Sequence, residues 1–375
     1  MDTFYNDIVA KGVYFLLGLE DNLACHTAIC LAEGFQELGI PIYANRNYWY
    51  VRDNDRHLFN FNKDITVNDC AICIASVSNL TGLPSQDHEI VRTIIKPMLD
   101  SNVNFKILLN IADQIELFIP ELLDLNYVFR SHMNRFITYP INFVPWPFGV
   151  SNRIKNAAGI YVPFSERQQE ILVNFRPSGD QSVRVALEYT LIPWLSSMFT
   201  INRTVEHRGA NMPIDSDDKL DYTYWQQIGG RHHKSYYQRL KNSLACCTYG
   251  GTFIYTNLEF NTDFAIARWD SWRLWESLVA GCVAINLDFD KYGFQLPIMP
   301  ENWKHYIGVD FANPKEIIDR FKENPDLMSS IAFEGRKWVL EHYTPVPTAC
   351  YFLDIIMGET LGTTKNLLDI LSVVD

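Results

Sequence analysis

The sequence is poor in charge and contains no long uninterrupted apolar run. Of its 375 residues only 20% are charged, against 47% hydrophobic and 14% aromatic. That is ample apolar surface to offset chain entropy, which excludes intrinsic disorder. No apolar stretch reaches the roughly 18 residues of a membrane-spanning helix without a charge or a proline. The longest, Ala186 to Thr200, carries Glu188 and Pro193. Basic residues are the scarcer sign: 32 Lys and Arg stand against 44 Asp and Glu, a net charge of −12. A general nucleic-acid binder needs a basic phosphate-facing surface, so no nucleic-acid partner is expected. The start, Met1-Asp2-Thr3-Phe4-Tyr5-Asn6-Asp7, lacks the cationic and then apolar character of a secretory signal, and the expected location is the cytosol.

Several catalytic signatures are also missing. Gly18-Leu19-Glu20-Asp21-Asn22 follows the first apolar run without the repeated glycines that bring a pyrophosphate against the backbone, which disfavours bound NAD or FAD. There is no GxxxxGK[ST], no HExxH and no GxSxG, so a P-loop nucleotidase, a zincin and a serine hydrolase find no foothold. The histidines show no metal spacing; His232 and His233 are adjacent. The eight cysteines lie mostly in apolar stretches, as reduced buried thiols do. Cys70 and Cys73 form a CxxC inside a strand-like segment, where positions i and i+3 face opposite ways and do not share a metal.

What is present alternates between short apolar runs and helical periods. Strands are expected at 12–17, 40–44, 69–75, 104–111 and near 126–130, with helices at 25–38 and 87–99. Residues 139–168 concentrate prolines and glycines and read as a connection. A second series follows: strand 171–175, a helix from Ser182, helix 234–243, strand 244–248, helix 269–280, strands 282–287 and 306–310, and helices at 314–322, 326–341 and 348–372. The expected fold is α/β, with two Rossmann-like doubly wound domains facing a cleft. The expected domains are 1–160, with 346–375 crossing back to them as the C-terminal helix, and 161–345.

The informative stretch is Arg268-Trp269-Asp270-Ser271-Trp272-Arg273-Leu274-Trp275-Glu276, running on to Gly281-Cys282-Val283. Asp270 or Ser271 can N-cap a helix whose free N–H groups and partial positive charge suit a diphosphate. Arg273 can pair with a phosphate in bidentate fashion. Glu276, further along the same face, can accept hydrogen bonds from ribose hydroxyls. The bland alternative is an i,i+3 surface ion pair.

This segment resembles the donor site of GT-B glycosyltransferases and is most similar to the exostosin-like, group 1 branch. The resemblance rests on Tyr236 or Tyr237, Ser243, Arg273-Leu274-x-Glu276, Gly281-Cys282-Val283 and Leu296-Pro297. Upstream, Asn174-Phe175-Arg176-Pro177-Ser178-Gly179 with Arg184 resembles the loop after the first strand of the donor domain. Gly18-Leu19-Glu20 and His26 resemble the opening of the acceptor domain. The sequence departs from the pattern at Arg268, where many retaining members carry a second glutamate; Asp270 is the nearest substitute, and stereochemistry is left open.

The resemblance implies transfer of a sugar from a nucleotide-diphosphate sugar, UDP-linked or alternatively GDP-linked, to an acceptor hydroxyl on a saccharide, lipid-linked sugar, peptide or small molecule. Donor-binding candidates are Arg176, Ser178, Arg184, Ser243, Asp270, Ser271, Arg273 and Glu276. Catalytic candidates are His26 at the start of a helix, Glu20, and Asp113 at the carboxyl end of a strand. No resident cofactor or metal is implied, since the cations can neutralise the diphosphate; Asp288-Phe289-Asp290 reads as a solvated turn rather than a metal motif. Tyr48, Trp49, Tyr50, Trp146 and Phe148 offer ring faces to a sugar or to the core. The alternatives are a non-catalytic nucleotide-sugar or carbohydrate-binding protein of the same fold, and a phosphotransferase or epimerase.

Overall fold

Runs of β-branched and aromatic residues pair into two separate all-parallel sheets. In the computed structural model the described residues are 3–18, 26–51, 55–77, 89–111, 120–175, 181–203, 234–254 and 264–358. Helix α1 (Thr3–Lys11) leads to β1 (Val13–Leu17), all five of whose residues are buried, and α2 (His26–Glu37) follows. Then come β2 (Ile42–Ala44) and an antiparallel hairpin of β3 (Tyr48–Val51) and β4 (Arg56–Phe59). Strand β5 (Ile72–Val77) is followed by a π-helical turn, Val91–Ile95, that runs into α3 (Lys96–Leu99). Strands β6 (Phe105–Asn110), β7 (Tyr127–Arg130) and β8 (Phe143–Pro145) complete a six-stranded sheet of order β2-β1-β5-β6-β7-β8.

The second half opens with α4 (Asn152–Ala158), β9 (Gln168–Leu172), α5 (Ser182–Thr190), α6 (Ile192–Ser196) and β10 (Thr200–Asn202). Helix α7 (Lys234–Asn242) runs directly into β11 (Ser243–Cys247). A hairpin of β12 (Thr252–Ile254) and β13 (Ala265–Ala267) leads to α8 (Trp272–Val279), β14 (Val283–Leu287) and β15 (Ile307–Val309). Helices α9 (Glu316–Glu323), α10 (Leu327–His342) and α11 (Pro345–Ile356) end the described chain. The sheet order is β10-β9-β11-β14-β15. In each sheet the first strand lies inside and the chain turns outward on both sides of it, so the strand order reverses between β1 and β5 and again between β9 and β11. Ligands of doubly wound sheets bind at such reversals, beyond the carboxyl ends of the strands.

Helix α11 returns to the first half. Ala349, Phe352, Leu353 and Ile356 join the core built by Phe15, Phe35 and Phe129. The approach is close: a Cβ on Gly34 of α2 would lie 2.1 Å from the Pro345 carbonyl oxygen. The buried Glu33, on the same helix, accepts the Asn152 N–H at 2.7 Å at the start of α4. Burial pushes its carboxyl up to about 8.

Two expectations change, and the β3–β4 hairpin was not foreseen. The proline-rich stretch 139–168 contains β8 and α4, because an edge strand tolerates Pro145 and the helix fits in the proline-free interval between Pro147 and Pro163. The β3–β4 hairpin has too few residues to show a period. Strand β9 lies three residues earlier than the apolar run implied. Its polar amino-terminal half is paid for by Glu170, which accepts Ser243 Oγ at 2.8 Å and Asn202 Nδ2 at 3.2 Å. The helix expected to run to residue 372 is described only as far as Ile356, and the rest of it lies outside the described residues.

A single buried cation ties the elements of the second half together. Arg167, 5% exposed, donates to the carbonyls of Val162, Leu240, Ser243 and Ala280 at 2.9–3.3 Å. Two of these carbonyls lie at the carboxyl ends of α7 and α8, where the helix dipole is negative. Replacing Arg167 by Leu strands buried acceptors and is expected to cost about 3 kcal/mol. Urea unfolding checks this, with a lowered midpoint at unchanged slope as the expected result.

Candidate functional site

The carboxyl ends of β9 and β11 and the amino ends of α5 and α8 meet at the reversal point of the second sheet. Phe175, just past β9, is 5% exposed and packs edge-on against Tyr249 with ring centroids 5.2 Å apart. Two guanidiniums lie over its ring: Arg184, from the first turn of α5, at 5.0 Å and Arg273, from the first turn of α8, at 5.6 Å. Arg184 Nε is 3.5 Å from the Tyr249 carbonyl oxygen. A Cβ on Gly250 would lie 3.3 Å from Arg184 Nη2, so the backbone after β11 comes close to this cation. Glu276 is buried and accepts the Tyr236 hydroxyl, and the buried Nε of Arg273 finds no acceptor among the described residues. The surface ion-pair alternative therefore fails. Two cations and two helix amino ends at one point form an arrangement able to hold an anion.

The remaining donor-side candidates are placed differently. Ser271 is the N-cap residue of α8 but does not cap it with its side chain. Its hydroxyl donates to the Thr248 carbonyl at 2.8 Å instead and ties α8 to the end of β11. Asp270 is buried with both oxygens engaged. Oδ1 accepts Trp275 Nε1–H at 2.8 Å and Oδ2 accepts the Phe148 N–H at 3.2 Å. Its own N–H donates to His132 Nδ1 at 3.1 Å. Asp270 thus braces the entry to α8. Glu276, 2% exposed, accepts the Tyr236 hydroxyl at 2.6 Å and fastens α7 to α8; burial and then the Glu276 charge raise the Tyr236 phenol. Ser243 lies at the amino end of β11, on the edge of the sheet away from the reversal point, and donates to Glu170. In a parallel sheet that edge does not reach the ligand crevice. Arg176 and Ser178 lie outside the described residues, as do Glu20 and Asp113 on the acceptor side.

His26 begins α2 and is 1% exposed. Its ring lies edge-on to Trp49 at 5.1 Å and to Trp272, the first residue of α8, at 4.8 Å. Trp272 in turn stacks on Phe148 at 4.7 Å, and Phe148 meets His132 at 5.2 Å. The two halves are therefore joined by rings at the entry to α8. Backbone strain gathers along this seam: Trp49, His132 and Arg268 hold φ values of 59°, 62° and 57°, in a region costly for residues with a Cβ. Polar bonds secure it further on, where Asn134 Nδ2 donates to the carbonyls of Ile266 at 3.2 Å and Tyr292 at 3.0 Å. Of the other rings considered, Trp146 is buried in the first-half core against Phe129 and Phe352. Asp288 accepts Asn302 Nδ2 and the Lys291 N–H, and Asp290 pairs with Arg135, which makes Asp288-Phe289-Asp290 a hydrogen-bonded turn. Among the described residues no three His, Cys, Asp or Glu side chains gather to hold a metal, and no helix is long and apolar enough to cross a membrane.

No family model and no curated relative matches the chain. Solved structures do. An α-glucosyltransferase in complex with UDP-glucose and DNA containing an abasic site is 10% identical at a TM-score of 0.54, covering 92% of this chain and 98% of that one. An α-glucosyltransferase in complex with UDP and mismatched DNA is 11% identical at 0.55, covering 92% and 99%. Anabaena HepE in complex with UDP and glucose is 7% identical at 0.50, again covering 92% and 99%. The chain has the GT-B fold. In GT-B terms the Phe175 site belongs to the second of the two sheets and the His26 helix to the first.

Sequence reasoning missed Phe175, Trp272 and Thr248. Phe175 falls both in the apolar run 171–175 and in the loop-like segment 174–179, and neither reading gives it a role; β9 ends before it and leaves the ring beyond the carboxyl edge. Trp272 at the first position of α8 carried a visible signal, a large ring beside the candidate arginine.

The Asp270 brace has a pH signature. Burial lifts its carboxyl from an ordinary 3.8 to about 6. A raised carboxyl pKa contributes stability that is full below the unfolded value and lost as pH rises through the folded one. The wild type is therefore expected to lose roughly 3 kcal/mol relative to Asp270→Asn between about pH 4 and pH 7. Paired urea titrations across that range measure it; a constant difference would contradict the assignment.

Proposed function

We propose that this chain transfers a sugar from a nucleotide-diphosphate sugar to an acceptor hydroxyl. The observation that carries the reading is the pair of guanidiniums, Arg184 and Arg273, over one ring at the reversal point of the second sheet. A diphosphate matches that pair in charge, and the amino end of α8 adds its dipole. The GT-B fold supports the reading, and so do the UDP and UDP-glucose bound in the similar structures, which put a UDP-sugar ahead of a GDP-sugar.

In this reading the protein accelerates transfer by holding donor and acceptor in line and by stabilising the charge that grows on the departing nucleoside diphosphate. Arg273 and Arg184 meet that charge, with Arg176 and Ser178 proposed beside them. Asp270, Ser271 and Glu276 fix the helix that carries Arg273. Glu20 and Asp113, which follow β1 and β6 in sequence, are proposed to face the acceptor, and one of them to take the hydroxyl proton. His26 is kept as a candidate for that role and also joins the acceptor-side helix to Trp272.

A second reading, a binding protein that has lost transfer, is favoured by Arg268 at the place where a carboxylate is expected and by the Tyr236 hydroxyl on Glu276. Slow release of UDP from UDP-glucose separates the two, since only an enzyme performs it.

A thermal-shift panel of UDP-, GDP-, dTDP- and CDP-sugars tests the donor. A ligand at 100 times its Kd adds about 2.7 kcal/mol of stability. Arg273→Ala is expected to weaken nucleotide binding by about 10- to 100-fold, the worth of a charge-assisted pair. A variant that responds to the panel as the wild type does would refute the site.

A further inference from the structure

The two ends of α8 are built alike, each with two guanidiniums over one aromatic ring. At the carboxyl end the Tyr161 ring carries two guanidiniums, Arg167 at 5.5 Å and Arg336 at 5.6 Å. Both donate to carbonyls there: Arg167 Nη2 to Ala280 at 2.9 Å and Arg336 Nε to Val279 at 3.0 Å. The helix supplies the negative pole, and the paired cations answer it. At the amino end Phe175 carries Arg184 at 5.0 Å and Arg273 at 5.6 Å. Here the helix pole is itself positive, and the buried Arg273 Nε has no acceptor among the described residues. The same clamp thus stands over a pole of its own sign, and in the diphosphate reading of this site the two phosphates meet it there.

We propose that Phe175 is a positioning residue that holds Arg184 and Arg273 together as one preformed receptor for two phosphate groups. The inference rests on the reading of this site as a diphosphate site. Two guanidiniums repel each other, and the negative face of an aromatic ring offsets that repulsion for cations near it. The ring itself is fixed, because Phe175 is 5% exposed and Tyr249 packs against it. Cations held in place before the ligand arrives need not be ordered on binding, so the ring raises affinity without touching the ligand.

The experiment titrates UDP and inorganic pyrophosphate into the full chain by calorimetry. The variants are Phe175→Leu, Phe175→Tyr, Arg273→Ala and a form with a fluorinated phenylalanine at position 175, which keeps the shape of the ring but weakens its negative face. The proposal expects the leucine and fluorinated forms to bind both probes about tenfold more weakly, with the fluorinated form melting as the wild type does. Phe175→Tyr should stay within about threefold of wild type. Wild-type affinity in the fluorinated form, with Arg273→Ala still defective, overturns the role of Phe175 and leaves the diphosphate site standing. A wild type that binds neither probe overturns both.

Discussion

Everything distinctive about the second half depends on fixing one short helix. Helix α8 carries Arg273 in its first turn, and a misplacement of its axis would carry that guanidinium away from its counterpart on α5. The chain anchors the helix on all sides. Its carboxyl end is neutralised by Arg167 and Arg336. Its flank is fastened to α7 through Tyr236 and Glu276, and its entry is braced by Asp270, Ser271 and Trp275. Burying Arg167 and Asp270 is costly, and each is tolerable because its polar atoms are matched by carbonyls or N–H donors. These charges set the position of α8.

The same helix is where the two halves of the molecule touch. Trp272 sits on Phe148 and His26, and Asp270 reaches the Phe148 backbone and His132. The residue that opens the cation-bearing turn is thus packed against the start of α2. A change in the relative setting of the two halves would be felt at Arg273 through one residue. The left-handed backbone at Trp49, His132 and Arg268 is concentrated along this contact, as strain often is where a functional surface has to be shaped.

Much of this was legible in the sequence. Alternation of strand and helix gave two parallel sheets, because buried parallel strands read as continuous apolar runs. The segment from Arg268 to Val283 was correctly taken as helix, glycine and strand, with Arg273 at the amino end. What was not legible is instructive. Glu276 and Asp270 are carboxylates in the right segment, but whether a carboxylate meets a ligand or a tyrosine depends on what a distant element brings to it, and Tyr236 and Phe148 are far away in sequence. Ser243 stands at the amino end of β11 against Glu170, a placement that spacing does not reveal because it does not tell which edge of a sheet a residue occupies. Phe175 stood in the loop-like segment 174–179, but a ring that supports cations and a ring that packs in a core have the same letter, so its role went unread.

The return of α11 to α2 has a consequence for how the protein is made. The first-half core counts Phe15, Phe35 and Phe129 together with Ala349, Phe352 and Leu353, and Gly34 admits the incoming helix almost to backbone contact. A ribosome delivers that last group only after the whole second sheet has emerged. The half that is synthesised first is therefore the half that matures last, and until then its unfilled apolar face is open to aggregation.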